Sequence, residues 1–248
     1  MNNTYQHILS TIEKKSTNFF VLIDPDKTNI ADAILTCNMA QEAGADGILI
    51  GGSLLFSNQF DEFILGVKRE TTLPLIIFPG NSRQISPHAD AILFLSFISS
   101  RNPNYLIGEQ VIAAPIIRSM NLEPISTGYM HIESGNVTTV EFLSGSRSIP
   151  RNKTDIAVAH ALAAEYMGMK LIYLEAGSGA HLSVPNEMIA EISSQVTVPV
   201  VVGGGIKTPG EAREKVVAGA KIIVIGNFLE KHFSLQNVRE FSNAVHGA

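Results

Sequence analysis

Residues 171–181 read LIYLEAGSGAH. An apolar run of strand type ends in a carboxylate, Glu175, and passes into a loop of small residues that includes Gly177, Ser178 and Gly179. Glycine has no Cβ to hold an anion off, so such a loop can bring backbone N–H groups up to a phosphate. A carboxylate close to that phosphate would repel it, so Glu175 has to face another part of the same ligand. At the end of an apolar strand its carboxyl is partly desolvated, which raises its pKa and suits a general base. An ion pair with a lysine or arginine on a neighbouring loop is the other use such a residue has. Tyr173 shares the orientation of Glu175, because strand side chains alternate. Its hydroxyl can orient a ligand, or its ring can fill a core layer.

Two further clusters repeat the small-residue pattern. GGGIKTP (203–209) carries Gly204 and Gly205 into a helix start, and IGN (225–227) ends a strand at Gly226 and Asn227. A helix N-terminus favours an anion. Three such clusters at consecutive strand ends read as a phosphate cradle; tight turns alone are the alternative. Earlier in the chain, LIDPDK (22–27) ends a strand at Asp24, and IGGS (50–53) ends the next with Ser53. Asp24 with an oxygen from Ser53 can hold a hard cation, since Mg²⁺ takes one or two carboxylates plus substrate phosphates and waters. Alternatively DPDKT is a turn and a helix cap, with Asp26 or Thr28 as the capping residue.

His88, His131, His160 and His181 lack metal-ligand spacing. His160 sits in an apolar helical stretch and reads as a core residue; His131 and His181 lie near loops and are minor candidates. The chain has no GxSxG, CxxC or Walker A pattern, and GGGIKT lacks the spacing a Walker A motif requires.

The elements that must position these residues are eight strand-like runs: 19–23, 47–51, 73–78, 91–96, 123–132, 171–175, 198–204 and 222–226. Most are continuously apolar, as parallel strands covered on both faces are. Helical patterns alternate with them and end in glycines suited to helix C-termini; Thr154-Asp155 and Thr208-Pro209 suit helix starts. This order, with one short leading helix, predicts a (β/α)8 TIM barrel over a single domain, 1–248, with an open doubly wound sheet as competitor. Two segments break the pattern. Only residues 79–90 join strands three and four, too few for a full covering helix, so that helix is shortened or missing and an apolar groove results. Residues 133–153 form an insertion after strand five, either a decorative loop or a lid.

With 248 residues, 45% of them apolar and 17% charged, the chain can bury a sizeable core. A formal net charge of −5 argues against a general nucleic-acid binder. Cys37 is the single cysteine and reads as a buried, inert thiol. No apolar run approaches the ~18 residues of a membrane span, and a soluble cytoplasmic protein is expected.

Taken in order, LIDPDK, IGGS, TGYMHIESG, YLEAGSGA, VVGGGI and VIGN resemble the geranylgeranylglyceryl phosphate synthase family, which includes PcrB-like relatives. The resemblance runs from strand one to strand eight. It implies a Mg²⁺-dependent TIM-barrel prenyltransferase that joins an allylic prenyl diphosphate to the C3 hydroxyl of sn-glycerol 1-phosphate. Matched by motif, Asp24 and Ser53 would bind Mg²⁺. Tyr173, Leu174, Glu175, Ala176, Gly177, Ser178 and Gly179, with Gly204, Gly205, Gly226 and Asn227, would hold glycerol phosphate, and Glu175 would take the proton. The tail would run near Ile85, Phe94 and Phe97. Leu22 stands where the PcrB-like branch has a lysine, which places the chain nearer the archaeal-type branch with its bacterial members. A homo-oligomer and a transient membrane contact for the product are further implications. The competing functions are a sugar-phosphate isomerase or aldolase, and a non-catalytic lipid-phosphate carrier.

Overall fold

A computed structural model describes residues 3–248; residues 1 and 2 of the expected domain lie outside the described residues. Eight parallel strands close into a barrel in chain order: β1 (Asn18–Ile23), β2 (Gly47–Ile50), β3 (Leu75–Ile77), β4 (Ala91–Phe97), β5 (Glu123–His131), β6 (Leu171–Glu175), β7 (Val200–Gly203) and β8 (Ile222–Ile225). β8 returns to β1 with Asn18 opposite Ile222 and Val21 opposite Ile225. Closure leaves no unpaired edge, and it removes the open-sheet alternative.

The apolar runs are unbroken because each strand serves two cores. Inward side chains such as Phe20, Leu49, Ile76, Leu93, Ile125 and Val201 fill the barrel. Outward ones such as Phe19, Ile48, Ile77, Ile92 and Ile172 pack beneath the helices. Each full burial of this kind contributes about 1.5–3 kcal/mol. The first helix, α1 (Thr4–Lys15), plugs the N-terminal end with Ile8. The Glu123 carboxylate accepts from the Thr4 and Tyr5 N–H groups at 2.7 and 3.2 Å. The molecule is therefore sealed at one end, and chemistry is confined to the other.

The remaining helices are α2 (Ile30–Glu42), α3 (Phe60–Lys68), α4 (Glu109–Ser119), α5 (Thr139–Ser144), α6 (Thr154–Tyr166), α7 (Asn186–Gln195), α8 (Pro209–Val217), α9 (Asn227–His232) and α10 (Leu235–His246). Thr208 closes α8 with a full capping box to Glu211. Two cap expectations are corrected. α2 is capped by Asn29, which accepts from the Asp32 N–H, and not by Asp26 or Thr28. α6 begins at Thr154 as expected, but its N-cap is Lys153 and no side chain closes it. Cys37 is buried and its thiol is pushed up to about 12 by burial, which keeps it inert.

Residues 78–90 cross from β3 to β4 without a helix. The insertion is ordered: Thr138 caps α5 by accepting from the Glu141 N–H, and Ile149 bridges to Ile132. Among the described residues no helix is long and apolar enough to cross a membrane.

Candidate active site

A cavity of about 990 Å³ lies at the C-terminal ends of the strands. Asp24, Ser53, Tyr173, Glu175, Ser178, Gly179, Gly204, Gly205, Gly226 and Asn227 all line it. Three of the expected site residues do not. Leu174 and Ala176 face the outer core, and the Gly177 N–H is spent on the Glu175 carboxylate, 2.6 Å away.

Glu175 ends β6 and is 5% exposed. Burial raises its pKa to about 7; the Gly177 N–H and the nearby Tyr173 hydroxyl oppose the rise without cancelling it. Among the described residues no cation stands with the groups that act on it, so the ion-pair alternative has no partner there. The Tyr173 hydroxyl is buried and has no partner in hydrogen-bonding geometry, although it is close enough to Glu175 to stabilise its charge. Beneath it, the Tyr173 ring stacks on Phe78 at 5.0 Å, and Tyr129 packs edge-on against Phe97 at 5.1 Å. These rings leave no room for the residue to turn away.

The β7 glycines have a role that composition did not reveal. A Cβ on Gly203 would lie 2.5 Å from the Tyr173 hydroxyl oxygen. One on Gly204, at φ +78°, would lie 2.1 Å from Glu175 Oε1. The glycines are where the acid and the phenol sit, in addition to any part they take in holding an anion. The cradle is closed from the other side by Asn227, whose Oδ1 accepts from the Ser178 hydroxyl (3.1 Å) and the Gly179 N–H (3.0 Å). One side chain thus ties the loop after β6 to the loop after β8.

On the β1 side of the cavity, Asp24 follows the last residue of β1 and pairs with Lys27 Nζ at 2.9 Å. Its Oδ1 accepts from the Asp26 N–H at 3.1 Å. Asp26 accepts from the Phe56 and Ser57 N–H groups at 2.7 and 3.0 Å, fastening the loop that follows Ser53. Leu22 lines the cavity and packs under Gly226, so the end of β1 offers it an apolar surface.

The histidines divide. His181 lines the cavity. His131 does not: it is buried, hydrogen-bonded to Thr138 (2.9 Å) and Ser148 (2.7 Å), and burial lowers its pKa to about 4. It pins the insertion as a neutral ring. His160 is half-buried on α6, bonded to the Ile156 carbonyl at 2.7 Å, and does not belong to the core as expected.

From this polar centre the cavity extends along β4, over the stretch that lacks a helix. Ile85 from the 78–90 connection, Phe94 from β4, and Ala113 and Ile117 from α4 line this extension, with Phe97 on the barrel side. Val140 and Leu143 of the insertion complete the wall, so this part of 133–153 contributes to the cavity. The α4 contribution was readable as an i, i+4 apolar pair. That of Leu143 had no signal in the sequence.

A closed parallel barrel with its polar residues gathered at the C-terminal mouth is a TIM-barrel enzyme, here with a buried carboxyl, a rim of glycine-rich loops and an apolar extension on one cavity. Residues 10–245 match the PcrB family, and the chain belongs to it. It is 43% identical over 247 residues to a geranylgeranylglyceryl phosphate synthase of Chitinophaga pinensis, covering 100% of this chain and 97% of that one. It is 41% identical over 241 residues to the synthase of Pyrococcus horikoshii, covering 97% and 94%. Among solved structures it is similar to (S)-3-O-geranylgeranylglyceryl phosphate synthase from Thermoplasma acidophilum in complex with sn-glycerol-1-phosphate: TM-score 0.91, 34% identity, 97% and 98% of the two chains covered.

Proposed function

We propose that the protein transfers a prenyl group, geranylgeranyl in the first instance, from its diphosphate to the C3 hydroxyl of sn-glycerol 1-phosphate. The observation that carries this reading is the meeting of three unlike surfaces on one cavity: a buried carboxylate with a pKa raised to about 7, a glycine-lined cradle and an apolar groove. Sugar-phosphate chemistry has no use for the groove. A passive carrier has no use for a desolvated acid beside an anion.

In this reading Ser178, Gly179, Gly205, Gly226 and Asn227 hold the phosphate of glycerol phosphate. The far hydroxyl then reaches Glu175, and the unpartnered Tyr173 hydroxyl supplies a hydrogen bond that orients it. The allylic carbon–oxygen bond breaks and its electron pair leaves with diphosphate. The glycerol oxygen forms the new ether bond, and its proton passes to Glu175. A base with a pKa near the working pH is effective at this step.

Asp24 and Ser53 are the groups that would hold Mg²⁺. Among the described residues no cluster of three or more His, Cys, Asp or Glu side chains suits a metal ion; Asp24 and Ser53 offer one carboxylate and one hydroxyl, a set that leaves the rest of a Mg²⁺ shell to substrate oxygens and waters, and Lys27 would have to release Asp24 to make room. When bound, Mg²⁺ neutralises charge on the departing diphosphate. The same reading places the enzyme in the cytoplasm as a homo-oligomer, checked by cell fractionation and light scattering.

The test is a mass-spectrometric assay with glycerol 1-phosphate and C15, C20 and C35 prenyl diphosphates, with Mg²⁺ or with EDTA. An ether product with released diphosphate, lost in EDTA, is expected. Failure to form it from any of the three would overturn the reading.

A further inference from the structure

The 78–90 connection forms one bank of the apolar groove and α4 forms the other. The first bank is fastened to the barrel. Gln84 donates from Nε2 to the Gly52 carbonyl at 2.8 Å, and the Ser86 hydroxyl donates to Asp61 on α3 at 2.6 Å. The second bank begins in a π-helical turn, Asn104–Gly108, that runs into α4 at Glu109. Between the banks, the Glu109 carboxylate accepts from the Ser82 N–H at 2.7 Å. Both residues lie on the cavity wall.

This is an unusual place for a carboxylate. Ala113 and Ile117, one and two turns further along α4, are apolar and line the same groove. At 1.5 Å per residue Ile117 lies about 12 Å beyond Glu109, so the groove continues well past the hydrogen bond. Beside Glu109, Gln110 donates from Nε2 to the Leu95 carbonyl, while its Oε1 is buried without a partner. Where the Glu109–Ser82 bond joins the two banks the wall thus carries acceptors, whereas Ala113 and Ile117 further along α4 are apolar.

We propose that the Glu109–Ser82 hydrogen bond is a strap across the groove, and that Glu109 is a positioning residue that encloses the prenyl chain and sets how fast chains of different length enter and leave. This inference rests on the prenyl-transfer reading above. A tail then threads past a closed ring of atoms and does not simply lie down in an open trough. Chains long enough to pass the strap are held by it; a C15 chain, ending higher, depends on it less.

The experiment compares wild type with Glu109→Ala and Glu109→Gln. Stopped-flow binding of geranylgeranyl and farnesyl thiodiphosphates, which bind without reacting, is run beside turnover of the C15, C20 and C35 diphosphates. A charge-assisted hydrogen bond has a net worth corresponding to about tenfold in an equilibrium constant. Glu109→Ala is therefore expected to raise both the association and dissociation rates of the C20 analogue by about tenfold, to leave its equilibrium affinity nearly unchanged, and to alter the C15 rates much less. Turnover of C35 relative to C20 rises. Glu109→Gln keeps an acceptor for the Ser82 N–H without its charge, and its rates fall between those of wild type and Glu109→Ala. Unchanged C20 rates in a folded Glu109→Ala protein would overturn the strap. So would a Glu109→Gln variant that behaves like Glu109→Ala, because charge alone would then be at work. A wild-type protein that turns over none of the diphosphates overturns the prenyl-transfer reading itself, while the binding rates still report on the strap.

Discussion

The two sides of the cavity are built by opposite means. On the β6–β8 side, loops with four glycines at positive φ (Gly177, Gly179, Gly204, Gly205) surround Glu175 and Tyr173, and Asn227 ties the loop after β6 to the loop after β8. On the β3–β4 side there is no covering helix, and the surface comes from side chains of four separate segments. The first side is fixed by backbone and can hold one small polar ligand in one pose. The second is adaptable and matches only the width and polarity of a chain. On the proposed reading, a barrel that joins a small alcohol to a long hydrocarbon needs both properties, and the two sectors supply them: one rim is tight and the other is left uncovered.

The comparison breaks most completely at Glu175. Glu175→Gln removes the base and retains the shape, and turnover is expected to fall by about a hundred- to ten-thousandfold. Its thermal unfolding should not move to lower temperature, since an uncharged amide costs less to bury than a carboxylate. Near-wild-type turnover in this variant would remove Glu175 from the chemistry. A pH series tests the same residue without steady-state kinetics. The folded-state pKa is raised from 4.5 to about 7 by burial. The resulting stability is therefore fully present below about 4.5 and is lost as pH rises through about 7, by about 3 kcal/mol. Other groups titrate in this window, among them His131 with its lowered pKa. The quantity to measure is accordingly the difference in unfolding free energy between wild type and Glu175→Gln, which should change with that sign. kcat/KM of wild type is expected to rise through the same pH range.

The next largest effect is expected at Gly204. Gly204→Ala places a Cβ on a residue at φ +78°, with Glu175 Oε1 at 2.1 Å. The left-handed backbone alone costs about 1–2 kcal/mol, which is roughly 2–8 °C in melting temperature for a chain of this size. Displacing the carboxylate by about 1 Å costs on the order of a hundredfold in rate. Differential scanning fluorimetry with the mass-spectrometric assay separates the two. A variant that melts lower but turns over normally would show that Gly204 serves the fold and not the site.

What the sequence made legible follows the same division. The barrel, the missing helix and the glycine-rich rim were readable because each rests on a local constraint: continuous apolar runs, a connection too short for a helix, glycines where the chain must turn. Glu175 was readable because a carboxylate ending LIYL has few structural uses. The capping role of Asn29 was missed, since DPDKTN offers several residues able to cap and only the loop path decides among them. The place of His131 was hidden for a different reason. Its partners, Thr138 and Ser148, lie in the insertion and meet it only when that segment folds back over β5. The wall residues Val140 and Leu143 were illegible on the same account. Residues brought together by strand register were found, and those brought together by a loop's return were not.

The smallest expected effect tests whether that returning loop belongs to the adaptable side alone. Leu143 is 41% exposed and lines the cavity from α5, so a bound tail would cover only part of it. Part of a leucine's burial is worth about 1 kcal/mol, which is roughly fivefold in affinity. Leu143→Ser is expected to raise KM for geranylgeranyl diphosphate by about that factor, leaving kcat, KM for glycerol 1-phosphate and the melting temperature unchanged. Such a selective loss would assign the insertion to the apolar sector. If KM for glycerol 1-phosphate rose equally, the His131–Thr138 anchor would be transmitting the change to the loop against Gly177, where Thr138 already fills the space a Cβ would need. The two sectors would then be coupled through the insertion, and the rim would have to be treated as one mechanical unit.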